Sequence, residues 1–76
     1  NLNYMKAEHL KEACEAVPFK PFLIHLSDQR FIYIEHQDFL WIIPGGRTIG
    51  VANHEGVVRL IDLIHVVSLQ FNGGPP

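Results

Sequence analysis

Apolar and polar positions along this chain change period once, near a pair of prolines, and that change divides it into a helix and a set of strands. Before the prolines, Ala7, Leu10, Cys14 and Val17 recur at helical spacing with Ala13 beside them, and Lys6, Glu8, Lys11, Glu12 and Glu15 fill the other positions. The pattern predicts a helix over residues 4–16, capped by Asn3 and ended by Pro18, because a residue before proline avoids helical geometry. About three turns are marginal alone, so the helix must lean on other elements. Pro18-Phe19-Lys20-Pro21 reads as a stiff extended connector.

Residues 21–40 are the organising stretch. Phe22-Leu23-Ile24-His25-Leu26 runs into Ser27-Asp28-Gln29-Arg30, and Phe31-Ile32-Tyr33-Ile34 returns as a hairpin. With Asp28-Gln29 at the tip, Ser27 opposes Arg30, Leu26 opposes Phe31, Ile24 opposes Tyr33 and Leu23 opposes Ile34. One face then carries Phe22, Ile24, Leu26, Phe31 and Tyr33; the other carries Leu23, His25, Ile32 and Ile34. Both are apolar enough to require cover. Gln is a poor residue for a tight two-residue turn, so a looser tip that shifts these pairs by one residue is the alternative.

Glu35-His36-Gln37-Asp38 is a polar bend, and Phe39-Leu40-Trp41-Ile42-Ile43 is a continuous apolar run, as expected of a strand covered on both faces. Pro44-Gly45-Gly46-Arg47 turns the chain into a strand at 48–52, and Asn53-His54-Glu55-Gly56 turns it into another at 57–61. Asp62-Leu63-Ile64 reads as one tight helical turn before a last strand at 65–71. The expected architecture is mainly β, of the α+β class. An N-terminal helix precedes a five-stranded antiparallel, strongly bent sheet or small open barrel, with the helix capping one open end.

Domain organisation follows from length. Seventy-six residues make one domain, here 5–71, with a flexible tail at 72–76. Met5 follows four residues, so 1–4 read either as native or as a remnant ahead of a Met5 start. Composition changes the picture more. Hydrophobic residues make up 47% of the chain and charged ones only 18%, against about 25% in an average domain. A chain this short buries only about 60% of its unfolded surface. The surplus favours self-association over a monomer whose helix covers the second face, with Phe39, Trp41, Val58, Leu60, Val66 and Leu69 in the barrel core or at a subunit contact.

Charge and chemistry narrow the function. A net charge of −2 with six scattered Lys and Arg residues argues against a general polyanion binder. The lone Cys14 excludes an intrachain disulfide, fits a reducing cytoplasm, and reads as a small buried hydrophobe on the helix stripe. No apolar run is long enough to span a bilayer as a helix. Among five histidines, only His36, with Glu35 and Asp38, sits in a local cluster of cation ligands, and a polar surface loop is the favoured reading. His25 and His65 are expected to be partly buried and hydrogen-bonded to neighbours; should they meet, assembly becomes pH-dependent. Ser27 and Ser68 show no base partner. Neither an enzyme, a cofactor nor a small-molecule substrate is implied.

The order helix, strand, Asp-containing turn, strand, His/Asp bend, apolar strand, turn, strand, tight turn, strand resembles the Sm-like (LSm) fold. That family builds five-stranded open barrels that join edge to edge into RNA-binding rings. The resemblance implies RNA contacts at Gln37, Asp38 and Arg47, with Phe39, Trp41 or Tyr33 available for stacking. Two motif positions depart from the family: the base-contacting Asn falls at Phe39 or Asp38, and Asp62-Leu63 replaces an Arg-Gly pair. The chain is also similar to short uncharacterised bacterial proteins with a Pro-Phe-x-Pro-Phe start (Pro18, Phe19, Pro21, Phe22) and an Ile-Asp-Leu ending (Ile61, Asp62, Leu63). That likeness implies no activity.

Overall fold

The computed structural model describes residues 5–72. The remnant expected at 1–4, the Asn3 cap and the tail beyond Asn72 lie outside the described residues. Helix α1 (Ala7–Glu15) begins later than the expected Tyr4: Met5 and Lys6 precede it, and Lys6 occupies the cap position in extended geometry with no side-chain cap. Its carbonyl accepts the first helical bond from the His9 N–H at 3.0 Å. The helix stops at Glu15, with Ala16 already extended ahead of Pro18. Leu10 and Ala13 are buried, Ala7 and Cys14 pack partly against the core, and Val17 is 96% exposed. Val17 thus leaves the stripe because the helix has ended before it.

Strand β1 (Phe22–Leu26) pairs antiparallel with β2 (Phe31–Ile34), with Phe22 opposite Ile34, Leu23 opposite Tyr33, Ile24 opposite Ile32 and His25 opposite Phe31. The two-residue tip is corrected to the looser alternative. Gln29 adopts a left-handed φ of 71°, the Leu26 N–H donates to the Arg30 carbonyl at 2.8 Å and the Gln29 N–H to the Leu26 carbonyl at 3.0 Å. That is a type I turn closed by one left-handed residue. One extra residue at the tip flips the second strand over. Ile34 is buried and Ile32 packs against the core, while Phe31 faces outward.

Among the described residues six strands, not five, follow the helix, in two three-stranded antiparallel sheets of order β2-β1-β6 and β3-β4-β5. They are completed by β3 (Leu40–Ile42), β4 (Thr48–Ala52), β5 (Val58–Asp62) and β6 (Val66–Phe71). The bend at 35–38 runs into a 3-10 turn (Gln37–Phe39) that carries the chain from one sheet to the other. It takes Phe39 out of the strand, so the apolar runs on either side are separate elements. A second 3-10 turn (Leu63–His65) joins β5 to β6, as the tight-turn reading expected. Asp62 starts it, its carboxylate accepting the Ile64 N–H at 3.1 Å. This turn also ties the sheets together: the Leu63 N–H donates to the Arg47 carbonyl, and the Ser27 N–H to the His65 carbonyl, both at 2.8 Å.

One core lies between the sheets and α1, with Leu10, Phe22, Ile24, Ile34, Ile49, Leu63 and Val66 fully buried. Val66 is among these, and Leu69 is half-buried against that core. Trp41, Val58 and Leu60 do not belong to it.

A candidate interaction surface

The expectation that the run 39–43 is covered on both faces fails at Trp41, and the failure defines the surface. Side chains alternate along a strand, so Leu40, Ile49, Val51 and Ile61 point into the core. Their neighbours point out. The register sets Trp41 opposite Gly50 and Gly50 opposite Leu60, one row across the outer face of β3-β4-β5, with Val58 opposite Ala52 beside it. Gly50 is what lets that row close. A Cβ there would stand 3.2 Å from Trp41 Cε3, 3.6 Å from Leu60 Cδ2 and 4.0 Å from Ile43 Cδ1. The three side chains thus lean over the glycine backbone into one apolar surface. Trp41 remains 46% exposed, Val58 60% and Leu60 70%. Asp62, opposite Thr48, is the one charged strand residue on this face.

A second feature lies along β5. Two cavities, of about 350 Å³ and 310 Å³, have Arg59 in both linings. The larger is bounded by the hairpin tip (Leu26, Ser27, Asp28), by β5 and by His65. The smaller lies between β2 (Phe31, Ile32, Tyr33) and the β4–β5 turn (Asn53, His54, Val57).

Polar and aromatic groups gather around the bend. His54 pairs with Glu35, which leaves His36 and Asp38 as a separate pair: the Asp38 N–H donates to His36 Nδ1 at 3.2 Å, and an Asp38 carboxylate oxygen lies 3.5 Å from the same nitrogen. Phe39 packs between the two imidazoles, 6.1 Å from His36 and 5.6 Å from His54. No group of three or more His, Cys, Asp or Glu side chains among the described residues is arranged to hold a metal ion.

His25 and His65 do not meet. His25 Nε2 lies 2.7 Å from Gln70 Oε1, while His65, exposed in the second 3-10 turn rather than in a strand, has its Nδ1 3.4 Å from the Ser27 hydroxyl. Ser27 therefore has a histidine neighbour that its sequence context did not reveal, since 38 residues separate them. At the tip, Asp28 accepts from Arg30 Nε at 2.8 Å, and this hydrogen bond, with a second from the Arg30 backbone, holds its carboxyl below the usual value. Burial pushes the Cys14 thiol up, and the Glu15 charge adds to it, the opposite of what a reactive cysteine needs.

The residues expected to contact RNA are not assembled into one place. Gln37 and Asp38 lie in the 3-10 turn beside the Val51–Ala52 end of β4, whereas Arg47 precedes Thr48 at its other end. The length of β4 puts them roughly 15 Å apart. No known family model, curated protein or solved structure matches this chain. The site must be read from its own geometry. Within that geometry, the Trp41-Gly50-Leu60 row is a continuous apolar surface left open to water.

Proposed function

We propose that the chain is a non-enzymatic β-rich module of Sm-like shape that works in the cytoplasm by binding and self-association. The single observation that carries this reading is the apolar row of Trp41, Ile43 and Leu60 closed over Gly50, continued by Val58. Charge is nearly absent from that face, so a second copy meets little desolvation penalty in covering it.

Magnitudes set the kind of assembly. Completing the burial of a half-exposed large apolar side chain contributes about 1 kcal/mol, so four on each of two copies supply on the order of 8 kcal/mol. Association costs at least about 4 kcal/mol in lost rigid-body freedom. The balance describes a reversible oligomer that responds to concentration, rather than a permanent one. Leu60→Ser tests it, because the side chain is exposed and its loss leaves the core intact. We expect the variant to stay folded and to lose mass on size-exclusion chromatography with light scattering. An unchanged oligomer would remove Leu60 from the contact.

Sm-like shape rests on the order of elements, the bend that moves the chain between sheets, and the Asp62-started turn before the last strand. RNA binding at Gln37, Asp38 and Arg47 is the alternative function. It predicts retention of oligo-U or oligo-A that weakens as salt rises, and no retention at low salt removes it.

A further inference from the structure

The row over Gly50 also bears on how two copies meet, an inference that rests on reading that row as a self-association surface. A sheet's hydrogen bonds lie in its own plane, so the outer face of β3-β4-β5 presents side chains and no backbone donors or acceptors. Trp41 and Leu60 flank a residue without a side chain, and Ile43 and Val58 extend them. The indole N–H, on a half-exposed side chain, is the one hydrogen-bonding group of the four.

Such a surface selects its partner by what it would strand. On the outer face of β2-β1-β6, the register places Phe31, His25 and Ser68 in one line and Tyr33, Leu23 and Gln70 in the next. Apolar side chains laid over that face would strip water from an imidazole, an amide and two hydroxyls without returning a hydrogen bond. Helix α1 turns Lys6, Glu8, Lys11, Glu12 and Glu15 outward, all exposed. The mouth of the two cavities around Arg59 adds Asp28, Glu35 and Asp62. Covering those charges costs still more. Among the surfaces of the described residues, the outer face of β3-β4-β5 is the one an apolar row covers at least cost. Its single charge, Asp62, stays at the rim and accepts the Ile64 N–H.

We propose that the chain forms a closed two-fold dimer, the outer faces of β3-β4-β5 stacked on each other with Gly50 near the axis. Gly50 is the positioning residue: a Cβ there would stand 3.2 Å from Trp41 Cε3, so its absence keeps the indole low against the sheet. A two-fold contact uses the same patch on both copies. The patch is small, since three strands of up to five residues span roughly 17 Å by 15 Å. One copy fills it, and growth stops at two.

The test mixes Leu60→Lys with Leu60→Glu at low ionic strength and weighs the mixture, and each variant alone, by light scattering. Leu60 lies on an edge strand with most of its side chain in water, so the monomer accepts either charge. Because Leu60 stands opposite Gly50, stacked faces bring the two introduced charges within about 10 Å of each other, inside the screening length of dilute salt. Each variant alone stays at one chain, and the mixture gains mass toward two. A mixture no heavier than its parts overturns the two-fold contact. Gly50→Ala, whose methyl lies outside the core, drives the indole off the sheet: tryptophan emission shifts to the red and association weakens roughly tenfold or more. Unchanged association in that variant removes Gly50 from the contact. Wild-type mass that climbs past two chains overturns closure. Wild type that never exceeds one chain removes self-association and this dimer together, whereas wild-type association with an inert mixture removes the face-to-face geometry alone.

Discussion

Single residues decide the local geometry at three places. Gln29 is held at a φ of 71°, which a side chain with a Cβ tolerates poorly. Gln29→Gly is therefore expected to stabilise the protein by about 0.5–1 kcal/mol, raising the melting temperature by a few degrees; a lower melting temperature would show that the Gln side chain itself holds the tip. Asp28, one residue earlier, has its pKa lowered first by the side-chain hydrogen bond to Arg30. The sign is that of a depressed acid. Its contribution is complete above the ordinary value of 3.8 and is lost as pH falls below that through the lowered folded pKa. NMR titration of the Asp28 carboxyl should give a midpoint below 3.8 that moves up toward that value in Arg30→Gln, without reaching it while the backbone N–H bonds persist. The third place, Gly50, has no side chain because Trp41 and Leu60 take the space above it.

Elements were legible where the signal is local. Helical spacing located Leu10 and Ala13 correctly, and Asp62 announced the 3-10 turn by the short-range bond it makes. The helix start was misplaced because Asn3 offered a cap, whereas the chain begins its helical bonds at Lys6. The hairpin register depended on one backbone angle at Gln29, which composition suggested but did not fix. Leu10 is the main anchor of α1, fully buried among residues of both sheets. Leu10→Ala should cost about 2–5 kcal/mol, a large part of the stability of so small a domain. Chemical denaturation checks this, and a loss below about 1 kcal/mol would mean that α1 is not integral to the core.

At the scale of the whole molecule, the sequence showed that apolar side chains were in surplus but not which face held them. Trp41 sits in an unbroken apolar run that resembles a doubly covered strand, yet only Leu40 and Ile42 turn inward. The mouth at Arg59 was not legible at all, since it brings residues 26–28 and 31–33 to residues 57–62 across the chain. These two surfaces meet along β5, where Leu60 borders both, and the apolar one carries the central claim, a second copy docked on it. Its most direct test is mass by multi-angle light scattering over a hundredfold range of protein concentration, with Leu60→Ser run alongside. Self-association requires a mass that rises with concentration toward a multiple of the 8.7 kDa chain and a variant that stays near 8.7 kDa; a wild-type mass fixed at one chain throughout is the opposing result.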